Sequence, residues 1–332
     1  LDIDITVKMI KAAIEARVNL FDTAHESAFR LFNGFFEGCP ELVVDLYGTT
    51  LLIYDHGAPI EKSETGLQAI QSSLLDALPW VKTVVVKRRN SEDAQDQRGR
   101  VAFGGPPDQK IHEQGVWYAV DLLINRDASF YLDTRNLRSW ILSHLRGKTV
   151  LNAFAYTGSL GVAARAAGAQ RVVQLDRNRT FLSLAAESYR LNALPVDRKD
   201  FLVGDFFSQT SRMRRTGMSF DCVLIDPPFF SVTSKGRVDL IGEGQRLINK
   251  VRPLVNHEGW LITVNNALFV PGSEYFSALQ GLCTDGCLAI EELIPVPPDF
   301  TGYEQTRVER PLVDQTPFNY STKIAVLRVR KK

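Results

Sequence analysis

The sequence predicts an α/β fold: a doubly wound, mostly parallel sheet ending in one antiparallel strand, with a small α+β domain ahead of it. Three observations carry this expectation. From Val150 onward, apolar strand-length runs alternate with helix-length segments through five β-α units, the pattern of a parallel sheet covered on both faces. The first of those strands runs into a glycine turn and a small-residue helix, in TVLNAFAYTGSLGVAARAAGA. Ahead of Gly115 the composition changes, with aromatic and β-branched runs spaced as a hairpin. The boundary is therefore expected between domains 1–114 and 115–332.

In the first domain, Val7, Ile10, Ile14 and Val18 recur with helical period. ELVVDLYGTTLLIYDHG reads as a hairpin turning at Gly48, and SETGLQAIQSSLLDALP as a helix stopped near Pro79. TVVVKRR is a short strand, and 90–107 a polar loop. In the second domain, VWYAVDLLI is a strand candidate, and DASFYLDTR a loop whose Asp133 or Thr134 caps the next helix. Strands at 150–154, 171–175, 200–203, 221–225 and 260–264 precede helices at 159–167, 179–192, from 206, 239–252 and 273–282. The loop 226–235 precedes the fourth helix, and two final strands, 288–294 and 323–329, have no good helix between them.

Composition narrows the function classes. Hydrophobic residues at 45% and charged residues at 23% fit a globular chain, and no apolar run is long enough for a membrane span. The N-terminal segment lacks the apolar stretch of a secretory leader, and Leu1 is not an initiator methionine. The four cysteines are scattered, and Cys283-x-x-x-Cys287 has no partnering Cys/His pair. No metal site is expected, and reduced thiols point to the cytoplasm. A net charge of +1 gives no global nucleic-acid footprint. The run Lys87, Arg88, Arg89 either meets phosphate or is a solvated strand end among Glu92, Asp93 and Asp96.

The glycine turn places free N–H groups and the positive end of a helix dipole at one spot, the nucleotide-binding corner of such a sheet. The dinucleotide fingerprint is not intact, because Phe154 and Tyr156 stand where its earlier glycines would be, and no P-loop motif exists. A ligand-free strand-turn-helix fits the same pattern. Three carboxylates then fall at the carboxyl ends of successive strands. Asp176 lies 18 residues after Gly158, near the spacing for ribose hydroxyls. Asp205, followed by Phe206, suits an adenine amine and ring. Asp226 opens Asp226-Pro227-Pro228-Phe229, where two prolines remove N–H donors and leave carbonyls, a carboxylate and an aromatic face for a planar base. Each Asp alone also reads as a helix cap.

D/N-P-P-[YF] with a degenerate glycine motif is typical of class I S-adenosylmethionine-dependent methyltransferases acting on nucleic-acid bases. SFYLDTR, VLNAFAYTGS, QLDRNRTFLSLAAESYRLNAL and LIDPPFFS resemble the large-subunit ribosomal RNA methyltransferases that include cytosine carbon-5 and guanine N7 members. AFRLFNGFFEGCPELVVDLYG resembles their small domain, whereas nothing matches the PUA module that some members carry. The resemblance implies a Rossmann-like sheet, S-adenosylmethionine as cofactor and ribosomal RNA as partner, with a homodimer left open. It implies that Asn152, Phe154, Tyr156 and Gly158 line the methionine and ribose, and that Asp176 takes the ribose hydroxyls with Asn178 nearby. Asp205 and Phe206 would hold adenine, while Phe130, Tyr131, Asp133 and Arg135 close over the cofactor. Asp226, Pro227, Pro228 and Phe229 would present the acceptor. Lys87, Arg88, Arg89, Lys235 and Arg237 are the candidates for RNA contact.

Carbon-5 methylation of cytosine needs a cysteine nucleophile. The resembling carbon-5 members carry it just after the fifth strand, where this chain reads LITVNNALFV, with Asn265 and Asn266. The expected acceptor is therefore a purine nitrogen, guanine N7 first. A methyltransferase acting on a protein or small molecule, and a non-catalytic cofactor-binding module, are the alternatives.

Overall fold

The computed structural model describes residues 3–57, 63–233, 236–240 and 244–331. They form two compact units, one running to Leu132 and joined by Pro297–Arg310, the other comprising Asp133–Val296 and the chain from Pro311. The division falls later than the expected 114/115 boundary. The reason is long-range: the segment after Pro297 returns to the first unit, which no local pattern announces.

The first unit contains α1 (Ile3–Ala16), β1 (Ala28–Asn33), α2 (Gly34–Glu37), β2 (Leu42–Tyr47), β3 (Thr50–Asp55) and α3 (Ser63–Ala77). It continues with β4 (Thr83–Arg88), α4 (Ala94–Arg98), β5 (Arg100–Gly104) and the separate pair β6 (Lys110–Glu113) and β7 (Val116–Ala119). The main sheet has the order β1-β2-β3-β4-β5. Only β3 and β4 pair in parallel, and α3 supplies the crossover such a pair requires. Ile10 and Ala13 of α1, with Ile70 and Leu74 of α3, pack on Phe29, Leu31, Val44 and Leu51. The expected loop 90–107 holds α4 and β5 instead. Every residue of β5 is exposed, so this edge strand carries no alternation of buried and exposed positions.

Arg17 is fully buried, and all of its donor nitrogens are engaged. It makes a bidentate pair with Glu37 at 2.9 and 3.0 Å and donates to the carbonyls of Ala13, Arg30 and Asp299. The Asp299 carboxylate accepts from Arg30 N at 2.9 Å, and Asn33 Nδ2 donates to the Phe300 carbonyl at 2.6 Å. These bonds hold the returning segment against β1.

Lys87 corrects an expectation. It is 0% exposed, and its ammonium donates to the carbonyls of Asn125 at 2.7 Å and Asp127 at 2.8 Å. Burial lowers its pKa to about 7. Alternation along β4 turns Lys87 inward, so it is a structural tie and not a phosphate contact.

The second unit contains α5 (Arg135–His144), β8 (Thr149–Ala153), α6 (Ser159–Ala166), β9 (Arg171–Asp176), α7 (Arg179–Leu191), β10 (Phe201–Val203) and α8 (Phe206–Arg215). Then follow β11 (Phe220–Ile225), the hairpin β12 (Phe230–Thr233) and β13 (Gly236–Asp239), α9 (Gly244–Val251), β14 (Val255–Asn265), α10 (Gly272–Cys283), β15 (Leu288–Ile294) and β16 (Lys323–Val329). The sheet order is β10-β9-β8-β11-β14-β16-β15, with β16 antiparallel to both neighbours. This is the predicted sheet. Strand order reverses between β8 and β11, where ligands bind in open α/β sheets. One core joins the sheet to α8, α9 and α10, and the other joins it to α5 and α6. The expected helix over 239–252 starts at Gly244, because the chain before it pairs as the β12–β13 hairpin.

Lys87→Ala should cost about 1.5–3 kcal/mol in urea unfolding, because two buried carbonyls lose a charged donor. An unchanged midpoint would contradict the buried tie.

Candidate functional site

The site is built around the turn from β8 to α6. Phe154, Tyr156 and Gly158 all have left-handed backbones, with φ of 59°, 52° and 79°. Only glycine adopts this without a Cβ penalty. The turn is held from both sides. Ala155 N donates to the Leu175 carbonyl at 2.9 Å, Tyr156 N to Asp176 Oδ2 at 2.9 Å, and Gly158 N to the Ala155 carbonyl at 2.8 Å. Beneath it, Asn152 Nδ2 donates to Gln174 Oε1 at 2.8 Å, and Gln174 Nε2 donates to the Gly158 carbonyl at 3.2 Å. A Cβ on Gly161 would lie 2.3 Å from Gln174 Nε2, and one on Gly158 would lie 2.5 Å from Ala185 Cβ. The glycines thus serve close packing as well as turning.

Asn152 was expected to line a ligand; it is instead buried and spent on Gln174. Gln174, which the sequence reading missed, is the side chain that supports the turn. Its signal was a polar residue inside the apolar strand RVVQLD.

Asp176 ends β9 against this turn. Oδ2 accepts from Tyr156 N and Oδ1 from Asn178 N at 2.8 Å, one bond for each oxygen. Each oxygen therefore keeps a lone pair for a further donor such as a ribose hydroxyl. Burial raises its pKa above the ordinary value. Asn178 caps α7 by accepting from Thr180 N at 2.9 Å, and Asp205 caps α8 by accepting from Ser208 N at 3.0 Å. Asp205 thus also serves the cap role that the sequence left open, whereas the Asn178 cap is a finding of the structure. Phe206 is buried beneath Phe154, with ring centroids 4.4 Å apart and stacked. Phe154 rather than Phe206 is the half-buried ring, which corrects the expected adenine contact.

Asp226 follows β11. Burial, and then the charge of Asp133, push its pKa up to about 7. Asp133 accepts from Thr322 Oγ1 at 2.6 Å. The loop before α5 and the end of β11 therefore set two carboxyls against each other, as in sites where one carboxyl retains a proton. Pro227 is buried, while Phe229 and Phe230 are 45% and 55% exposed. Arg135 is half-buried at the start of α5. The sequence also gave no sign of Arg138, which is fully buried and donates to Thr134 Oγ1 at 2.7 Å.

Other expected residues lie elsewhere. Phe130 and Tyr131 belong to the first unit. The Phe130 ring is buried against Tyr118, and its carbonyl accepts from Tyr47 Oη at 2.8 Å; Tyr131 is exposed. Arg89 pairs with Asp127 at 2.7 Å, Arg88 is half-buried, and Arg237 lies 3.6 Å from Asp239. Lys235 lies outside the described residues. Among the described residues, no group of three or more His, Cys, Asp or Glu side chains is placed to hold a metal, and no helix is long and apolar enough to cross a membrane.

A tight glycine turn beside a carboxylate with spare lone pairs, at the switch point, fits a nucleoside-bearing cofactor. The comparisons agree. The model of a family described as S-adenosylmethionine-dependent methyltransferase matches residues 74–305. YwbD of Bacillus subtilis, provisionally named a ribosomal RNA large subunit methyltransferase, is 30% identical over 271 residues, which are 78% of this chain and 66% of YwbD. Ribosomal RNA large subunit methyltransferase I of Aeromonas salmonicida is 30% identical over 245 residues, 73% of this chain and 60% of that protein. The chain thus spans less than two thirds of the length of these relatives. A provisionally named methyltransferase solved in complex with SAH shares the fold, with a TM-score of 0.84 over 99% of this chain and 82% of that one at 23% identity.

The raised pKa of Asp226 has a stability consequence. Its pKa is pushed up to about 7 in the folded chain, against 3.8 for an ordinary aspartate, so the folded chain holds the proton more tightly between those values. Stability contributed by this group falls as pH rises through that window and levels off above 7. Asp226→Asn removes the titration. Its advantage over the natural chain should grow from pH 4 to 7 and then plateau, at roughly 1–4 kcal/mol. Urea unfolding at pH 4.5, 6 and 8 checks this; a pH-independent difference would contradict it.

Proposed function

The chain belongs to the S-adenosylmethionine-dependent methyltransferases, and from that premise we propose that it methylates a base of large-subunit ribosomal RNA at a purine nitrogen, with guanine N7 foremost. The RNA substrate is supported by the two relatives, which are named as methyltransferases of the ribosomal RNA large subunit. The observation that carries the choice of atom is the end of β14, where Asn265 and Asn266 stand and no cysteine does. The other cysteines do not substitute. Cys222 is fully buried in β11 and its thiol pKa is pushed up by burial. Cys283 ends α10, with its thiol pKa also raised by burial, and Cys287 follows it by four residues. A covalent attack on a pyrimidine therefore has no placed nucleophile.

When bound, the cofactor supplies a methyl group already activated by its sulfonium. The chain has to bind, orient and exclude water. Asp176, the Tyr156 backbone and Gly158 are the residues that would hold the nucleoside. Asp226 and the Pro227 carbonyl would orient the acceptor through its N–H groups, with Phe229 against its face. Guanine N7 has an in-plane lone pair and needs no deprotonation, so placement by Asp226 suffices.

Asp176→Ala should weaken S-adenosylmethionine binding by roughly 1.5–3 kcal/mol in calorimetry, through loss of charge-assisted bonds. Equal affinity for both proteins would remove Asp176 from the cofactor site. The function is tested by mass spectrometry of ribosomal RNA nucleosides from cells with and without the gene, complemented by the natural chain or Asp226→Ala. The expected outcome is loss of one 7-methylguanosine, restored by the natural chain and not by the variant, whose cofactor affinity stays near normal. Loss of a 5-methylcytidine would overturn the choice of atom. Unchanged ribosomal RNA, with methyl transfer to protein or small molecules, would overturn the substrate.

A further inference from the structure

A cavity of about 610 Å³ lies in the second unit between α9 and α10, beside the end of β14. Asn265, Val270 and Tyr275 line it, with Arg246, Asn249 and Glu274 on the helices around it. Asn265 and Tyr275 also border a small cleft against Pro227, so the cavity adjoins the strand ends that carry the acceptor site.

Asn265 is the informative residue. It is 1% exposed, and its Oδ1 accepts from Ala267 N at 2.9 Å. Among the described residues, its Nδ2 donates to no protein group. An amide donor at a cavity wall that meets no protein acceptor is available to a ligand's acceptor. The turn that holds it is locked. Lys323, paired with Asn265 across the sheet, donates from Nζ to the Ala267 carbonyl at 2.9 Å and the Ser321 carbonyl at 2.7 Å. Tyr275 Oη is engaged with Thr263 Oγ1 at 3.0 Å, so Tyr275 offers the cavity its ring. The cavity therefore presents an aromatic ring and a fixed amide donor at its β14 end, with apolar side chains such as Val270 and Leu279 set among the polar Gln245, Arg246, Asn249 and Glu274. That is the chemistry that receives a planar heterocycle bearing a carbonyl or ring-nitrogen acceptor.

We propose that this cavity is a subsite for a second nucleobase of the RNA, next to the acceptor, with Asn265 donating to its carbonyl or ring nitrogen. The proposal rests on the RNA reading above. The cavity is separate from the acceptor position, because Asp226 and Phe229 do not line it.

The test is methylation of large-subunit ribosomal RNA from cells lacking the gene, by the full chain and three variants. Asn265→Asp keeps an oxygen for Ala267 N and replaces the donor with a repelling oxygen. Ala278→Trp fills the cavity from α10 without altering Asn265. Asp226→Ala is the inactive control. Each of the first two should raise KM for RNA about tenfold, the scale of one buried hydrogen bond, while affinity for S-adenosylmethionine stays unchanged. If Ala278→Trp, folded by its melting curve, methylates RNA with the natural KM, the subsite is wrong and the RNA reading stands. If Asn265→Asp loses cofactor affinity as well as RNA affinity, its role is structural and the subsite is overturned. If the natural chain methylates no RNA, the RNA reading fails and takes the subsite with it.

Discussion

The constraint on which the second unit depends is the left-handed turn at Phe154, Tyr156 and Gly158. Two of the three residues carry Cβ atoms, at a cost of roughly 1–2 kcal/mol each in this conformation. The chain keeps them there because the alternatives are closed. Asp176 takes the Tyr156 amide, and Gln174 joins Asn152 to the Gly158 carbonyl through the sheet. Gln174 then dictates the sequence that follows. Its amide fills the space where side chains at 158 and 161 would go, so both positions are glycine. The shape of the turn at the sheet's carboxyl edge is a product of this interior polar ladder. The degenerate glycine motif is thus a different solution from the dinucleotide fingerprint: strain held by side chains replaces strain avoided by glycine.

Two carboxylates at the same edge show how environment separates roles. Asp176 and Asp226 both end parallel strands, and burial pushes both pKa values upward. Backbone amides meet both oxygens of Asp176, and these bonds offset part of that push. Among the described residues, no N–H donates to Asp226, while Asp133 adds a like charge. Asp226 is thus left with acceptor capacity that none of the described residues uses, the condition of a group waiting for a ligand's donors.

Much of the second unit was legible in the sequence because its determinants are local. Apolar strands, the Asp205 cap and the glycine turn announce themselves within a few residues. The readings that failed concern residues whose roles are set by distant partners. Lys87 looked like a surface cation until strand alternation and the carbonyls of Asn125 and Asp127 turned it inward. The 297–310 segment looked like part of the second domain, although Arg17, Arg30 and Asn33 bind it to the first. Phe206 looked like a ligand-facing ring, and Phe154 covers it. Periodicity shows which face of an element is apolar, but it does not show which polar group a distant loop will bring to it.

The buried cations bear on how RNA would be held. The chain has 39 basic and 38 acidic residues, and several of the basic ones are spent inside. Arg17, Lys87, Arg138 and Lys323 are all fully buried. Arg89 and Arg100, on the surface of the first unit, are met by aspartates. With acidic residues nearly as numerous, the net charge is only +1, so long-range electrostatic capture would contribute less than in strongly basic RNA-binding proteins. The second unit also exposes apolar rings at the carboxyl edge of its sheet. Phe229, Phe230 and Phe269 are 45%, 55% and 65% exposed, in the loop after β11, at the start of β12 and in the loop after β14. Base stacking on such rings contributes on the order of 1–3 kcal/mol each and varies little with salt. An RNA substrate would then be selected mainly by unstacked bases presented at the sheet edge, so a single-stranded or flipped segment fits this surface better than a duplex.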